Sequence, residues 1–504
     1  MSSFETTVVR DSRIQDISSK GSVQVHKGPA ESNYQSVTAN SVSTSNVTFS
    51  VVVPSESIVV DRNITMTASQ TLRVVIPARA GRTTEKVFSY GETHALQAFP
   101  LNALFQNATT TINQTSISTQ VQDIMAPLMR MSDDGVHSHY DAPHQTDKLF
   151  KTFEDMVLTS SNPLGNYENT VGDNLPRGAH PLDSFTITRA GTTAVAVTEA
   201  DAVADITAAL QGIDDTSSWV IDLTYTTTEP LLFMSPFLSG EGVENQAGMM
   251  GVRNIDLVLN IDSSAKRAFS SGLSSEPMTV SLIGLSNCKL NLNYLTTQPS
   301  DMISSKSVLP FTEYQRYLTV HNADVASGAS QAINTQALQL NQIPTKIYVV
   351  ARKRLATQGP TDSNTFWPIS QVSVNFNNKS GILAGASPHD LYKMSVRNGS
   401  KQHWYEFGGR AVGSSEGVSK YGAGSILVID PSKDLCLPDY LTNGSIGSYS
   451  FSMNLTVKNT HAVALPPEIM IVCQYDGVFV TEAGISSKQT GLLTKDVVVS
   501  ASEA

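Results

Sequence analysis

Charge is scarce in this chain. Of 504 residues only 16% are Asp, Glu, Lys or Arg, and the balance is acidic, with a net charge of −11. Nucleic-acid binding needs a basic footprint that displaces counterions, so this balance argues against it. Arg10, Arg13, Lys20 and Lys27 are matched near the start by Glu5, Asp11, Asp16 and Glu31, which excludes a basic packaging tail. Cysteine is nearly absent. Cys288, Cys436 and Cys473 are odd in number and form no C-x-x-C pair, which argues against a disulfide framework. Cys288 and Cys473 sit in apolar strand patterns and are expected to be buried free thiols. Long apolar runs are missing too. None approaches the ~20 residues that cross a bilayer, and none near the start resembles a signal peptide. The expectation is a soluble product of the cytosol or nucleus.

What the chain does have is Ser, Thr and Asn, in the company of alternating apolar residues. N-x-S/T sequons, as at Asn46, Asn63, Asn107 and Asn113, are read as chance in such a composition. Over 64–76 the even positions are Ile64, Met66, Ala68, Gln70, Leu72, Val74 and Ile76, and the odd ones are mostly Thr, Ser and Arg73. A period of two held this long predicts a strand with one face on a core. The same holds for 254–261, with Leu257 and Leu259 inward, and for 449–458, with Phe451, Met453 and Leu455 inward. Further strands are predicted at 184–188, 218–226, 278–284, 287–294, 314–320, 345–352, 370–376, 425–430, 468–474 and 477–481. At 120–131 Val121, Ile124, Met125, Leu128 and Met129 form a helical stripe, with Pro127 expected to kink or shorten it.

These patterns repeat. TTTINQTSIS followed by VQDIMAPLMRM near residue 110 is echoed by VSVNFNNKSG followed by PHDLYKMSVRN near residue 375. Each reads as strand, Asn turn, return strand and helix. PFLSG at 236–240 is likewise echoed by PDYLTNG at 438–444. Two similar β-domains in tandem follow, each of about eight strands and one short helix. The halves are about twice the ~100 residues of an immunoglobulin-type sandwich, and their long connections favour two jelly rolls instead. The predicted division is an arm over 1–44, a first roll over 45–300 with a long loop at 131–182, a second roll over 301–485 and a tail over 486–504.

No H-E-x-x-H, P-loop or strand-linked G-x-G-x-x-G occurs. His137, His139 and His144, with Asp133, Asp134 and Asp141, could offer imidazoles to Zn²⁺, but they lie in the polar loop, where nothing fixes a second shell. They are read as solvated. Glu406, Asp430, Asp434 and Asp439 could be cast as glycosidase carboxylates, with Trp404, Tyr405 and Phe407 as a sugar platform. The favoured reading of HWYEF is an apolar plug or an intersubunit contact. No catalytic residue, metal ligand or cofactor is assigned.

The order SNVTFSVVVPSESIVVDRNITM, AFPLNALFQNATTTINQTSISTQVQDIMAPLMRM, NPLGNY, PRGAHPLDSFTI, QIPTKIYVVARK, NFNNKSGILAGASPHDLYKMS, SILVIDPSKDLCLPDYLTNGSIGSY and PEIMIVCQYDGVFVTEAG resembles one family over about residues 45–485. It is the double jelly-roll major capsid proteins of small eukaryotic DNA viruses, with virophages and Polinton-like viruses nearest. Adenovirus hexons and giant-virus capsid proteins are more distant. The resemblance implies an icosahedral shell protein that forms homotrimers. Six jelly rolls would make each pseudo-hexagonal capsomer, and its partners would be neighbouring capsomers and minor capsid or penton proteins. It carries over no catalytic residue and leaves open whether a membrane lies beneath the shell. The rival readings are a carbohydrate-binding β-sandwich and a glycoside hydrolase on a jelly-roll scaffold.

Overall fold

Alternation builds the first half. The structure, a computed structural model, describes residues 30–77, 99–129, 182–189, 218–238, 248–271, 278–297, 306–360, 366–411, 424–438, 441–461 and 463–491. Short pieces within 88–97 and at 131, 166–167, 176–177, 180, 195–197 and 420–421 are also described. Residues 1–29, nearly all of the loop 131–182 including His137, His139, His144, Asp133, Asp134 and Asp141, and residues 492–504 lie outside the described residues.

Eight strands frame the first roll: β1 (Ala30–Thr38), β2 (Asn46–Val52), β3 (Thr65–Ile76), β4 (Phe105–Ile112), β5 (Thr115–Thr119), β6 (Trp219–Pro230), β7 (Asn254–Ile261) and β8 (Thr279–Thr297). Helix α1 (Val121–Met129) follows β5. One sheet runs β1-β8-β3-β6 and is extended by Ser184–Arg189; the facing sheet runs β2-β7-β4-β5. All pairings are antiparallel.

The second half repeats this order. Its strands are β9 (Lys306–Val320), β10 (Ser330–Asn334, continued by Leu338–Gln342), β11 (Lys346–Lys353), β12 (Ile369–Phe376), β13 (Lys379–Ile382), β14 (Leu427–Ile429), β15 (Ile446–Lys458) and β16 (Pro467–Glu482). Helix α2 (Pro388–Arg397) follows β13. The sheets run β9-β16-β11-β14 and β10-β15-β12-β13, so adding eight to each label of the first roll gives the second. This is the strand order of two jelly rolls.

The repeat extends to single residues. The two-residue turns after β4 and β12 begin at Asn113 and Asn377, with φ of 51° and 50°. Asn is among the few residues that enter the left-handed region at low cost. Each side-chain oxygen accepts a backbone N–H from the chain alongside: Arg253, just before β7, to Asn113 at 2.7 Å and Ser450, on β15, to Asn377 at 2.8 Å.

The inward faces fall where the alternation places them. Ile64, Met66, Leu72, Val74, Leu257, Leu259, Phe451, Met453 and Leu455 are all buried. Gln70 shares the apolar face and is satisfied there, donating to Thr227 Oγ1 and accepting from the Tyr225 hydroxyl. Cys288 and Cys473 are buried free thiols, pushed up to about 11 and about 12 by burial; Cys436 is free and exposed.

Four boundaries differ from expectation. Residues 30–38, inside the span assigned to the arm, form edge strand β1, paired one-for-one with Lys289–Thr297. Its Ser32, Asn33, Tyr34 and Gln35 are exposed, so no buried face gave the segment a period. The strands expected at 278–284 and 287–294 are one strand, β8, whose register shifts at Leu282/Gly284 and Ser286/Lys289 break the alternation. Those expected at 468–474 and 477–481 are one strand, β16. It pairs first with β11 and then with β17 (Ile485–Thr490), which runs from the last residue assigned to the second roll into the span assigned to the tail. Helix α1, assigned over Val121–Met129, carries Pro127 inside it.

Candidate assembly interface

The sheet β9-β16-β11-β14 has two buried faces. On β11, Ile347, Val349 and Ala351 join the core of the second roll, while Tyr348 and Val350 join the core of the first. On β16, Ile469, Ile471 and Cys473 face one way and Met470 and Val472 the other. Burial on both faces explains why KIYVVARK and EIMIVC read as continuous apolar runs. The second roll thus lays the outer face of this sheet on the first.

Helix α1 sits at that contact, and all nine of its residues are buried. Asp123 accepts from Arg352 Nη2 at 2.5 Å and also from Arg316 Nη1. Arg352 Nε donates in turn to Glu468 at 2.6 Å. The side chains of Asp123, Arg352 and Glu468 are 6%, 7% and 4% exposed, so the network is desolvated. Burial alone would lower Arg352, but the charges of Asp123 and Glu468 outweigh it and leave the guanidinium raised. Around the network, Thr115 donates to the Ser486 carbonyl of β17 at 2.8 Å, and Ser486 donates to the Ile112 carbonyl at 2.6 Å. A helix and hairpin of the first roll therefore grip the sheet of the second.

The corresponding sheet of the first roll, β1-β8-β3-β6, carries different chemistry outward. Thr67 pairs with Thr228 at 2.8 Å, Ser69 with Thr226 at 2.9 Å and Thr71 with Thr224 at 3.1 Å. Asn291 donates to Thr67 at 2.9 Å, and Arg73 makes a two-pronged bond to Asp222, 2.8 Å on each arm. These residues all retain solvent exposure. The face is a ladder of hydroxyls and amides with one ion pair near its end.

The other sequence candidates hold structure. Asp434 accepts from Asn398 at 2.6 Å, from the Asp430 N–H at 2.8 Å and from Arg397. Asp430 accepts from Asn443 at 2.7 Å and pairs with Lys433 at 2.6 Å, which hold its carboxyl below its ordinary value despite the opposing effect of burial. Glu406 caps the helical turn α3 (Trp404–Phe407) by accepting from the His403 N–H at 3.0 Å. Asp439 lies outside the described residues. Of the aromatic trio, Phe407 is buried, Trp404 packs edge-on against His389 and Tyr392, and Tyr405 is 55% exposed. Gly424, at φ +81°, fits where a Cβ would stand 1.7 Å from the Phe366 carbonyl oxygen, so it serves close packing. Among the described residues no group of three His, Cys, Asp or Glu could hold a metal, and no helix is long and apolar enough to cross a membrane.

Two rolls of one strand order, joined sheet to helix, define a double jelly-roll protein of the capsid type. Residues 2–303 match the family described as Sputnik virophage major capsid protein 1st domain, and residues 314–477 match Major capsid protein V20 C-terminal domain. The chain belongs to the virophage major capsid protein family and is a structural protein of the virion. The putative capsid protein V20 of Sputnik virophage is 25% identical across 95% of this chain and 78% of that protein. A chain of the Sputnik virophage cryo-EM structure has a TM-score of 0.74 at 22% identity, covering 98% of this chain and 95% of its own. The mavirus major capsid protein has a TM-score of 0.67 at 14% identity, covering 97% and 95%.

Proposed function

We propose that the chain is the repeating subunit of an icosahedral shell and works as a homotrimer whose six jelly rolls form a pseudo-hexagonal capsomer. The observation that carries this is the repeat of strand order between halves that already pack side by side. Three such chains present six similar outlines, so a three-fold oligomer can tile a hexagonal lattice. The role is mechanical, without catalysis. Its partners are neighbouring capsomers and minor capsid or penton proteins, and it is made in the host cytoplasm or nucleus. The rolls divide near residues 300–305, the first starting at β1 rather than at residue 45.

Light scattering on the size-fractionated full chain tests this. The expected mass is three times the 54.1 kDa of one chain, or that of larger shells. A monomer at every concentration, with no particles in negative stain, would end the reading.

A further inference from the structure

Helices α1 and α2 hold the same place in their rolls but differ in cover. Their third residues are Asp123 and Asp390, each followed by a buried apolar residue, Ile124 and Leu391. The helices are therefore in phase. In α1 the outward positions are buried; in α2 the equivalent His389, Asp390, Lys393 and Val396 are exposed. The two sheets differ in the same sense. Arg352 lies on β11 near its end, beside the start of β16, and reaches Asp123. Arg73 lies on β3, the counterpart of β11, beside the start of β8, and points outward with its side chain 43% exposed.

We propose that helix α2 of one copy seats on the outward face of β3 and β6 of a second copy, with Asp390 placed on Arg73. This deepens the trimer reading and rests on it. The contact is a copy, made between chains, of the one that α1 and Asp123 make with Arg352 inside the chain. Each chain then offers one helix and one sheet face, so the contact is heterologous and closes into a ring when the rotation permits. Local features fit the seat. The Ser and Thr side chains of the ladder are short and let a helix approach closely. Asp390 is pinned at the helix start by the Ser387 N–H at 3.1 Å and its hydroxyl at 2.6 Å, both bonds falling on the same oxygen. Behind it, His389 and Tyr392 stack on each other and meet Trp404 edge-on, which stiffens the helix.

Charge reversal with rescue tests this. Asp390→Arg also loses the cap to Ser387, so the monomer's melting temperature should fall slightly, as it also should in Asp390→Ala, while the concentration needed for trimers rises about 100-fold in the Arg variant. Adding Arg73→Asp with Asp222→Arg keeps the in-chain pair reversed and presents an acid to the new arginine, so trimers should return. Hydrogen exchange should show residues 65–75 and 388–397 gaining protection together on trimerisation. A wild-type trimer that Asp390→Arg leaves equally tight, that the rescue does not restore, or whose new protection falls elsewhere, overturns this seat but not the trimer. A wild-type chain that stays monomeric overturns both.

Discussion

The outward faces of the sheets β1-β8-β3-β6 and β9-β16-β11-β14 occupy the same position in two copies of one fold, yet the first carries a ladder of threonines on β3 and β6 and the second carries Tyr348, Val350, Met470 and Val472 on β11 and β16. The apolar face is covered inside its own chain, so it never needs to be soluble in the folded subunit. The hydroxyl face retains solvent exposure in the single chain. A surface that must be wet first and covered later is suited by side chains that hydrogen-bond to one another and shed little bound water. The contrast separates a contact made inside the chain from the one proposed between copies, and each of the following measurements is a way to break or sharpen it.

The largest effect should come from the charge network under the apolar face. Asp123→Ala leaves Arg352 and Arg316 short of a desolvated partner and should cost ~3–5 kcal/mol in urea unfolding. A loss below 1 kcal/mol would show that water replaces the carboxylate and that the contact is not dry. Next are Leu257→Ala on β7 and Leu455→Ala on β15, at ~2–5 kcal/mol each. Because the first core runs into the second roll's sheet, both variants should shift one shared transition. Two separate transitions would mean that the rolls unfold independently.

A third effect depends on pH. Glu229, on the inner face of β6, accepts from the Leu101 and Asn102 N–H groups and the Asn102 side chain, each at 2.8 Å. Burial outweighs these bonds and pushes its carboxyl from 4.5 up to about 7. A raised carboxyl contributes stability that is present below about 4.5 and lost as pH rises through about 7. Glu229→Gln cannot titrate, so its deficit against the wild type should shrink over that window, by up to about 3 kcal/mol. A constant difference in melting from pH 4.5 to 8 would show that the carboxyl is not raised.

The smallest effects sharpen the comparison most directly. Thr71→Val on the hydroxyl face should change single-chain stability by less than about 0.5 kcal/mol. Val350→Thr, which makes the apolar face resemble it, should cost about 1–3 kcal/mol. Equal costs for the two would erase the distinction between the faces.

The strands with one buried face were legible in the sequence, because β3, β7 and β15 alternate without interruption. The helix in each roll and the Asn turns before them were legible through the repeat. Strand β1 was not: it is a polar edge strand whose place is fixed by β8, more than two hundred residues away. Strands β8 and β16 looked divided because register shifts and a change of partner interrupt their periods. The charge network was hidden for a related reason. Asp123, Arg352 and Glu468 belong to three distant segments, and only the packing of one roll on the other joins them. Glu406, Asp430 and Asp434 looked like chemistry and prove to be caps and braces of a turn-rich segment.

The two-faced sheet also has a meaning in time. A chain is made from its N-terminus, so α1 and the rest of the first roll emerge before β11 and β16 exist. The seat is synthesised before its occupant. Had the apolar sheet belonged to the first roll, Tyr348, Val350, Met470 and Val472 would have waited in water, open to the sheets of other nascent chains. Placed second, they meet their own chain first, and the order of synthesis itself guards a protein made in many copies against pairing too early.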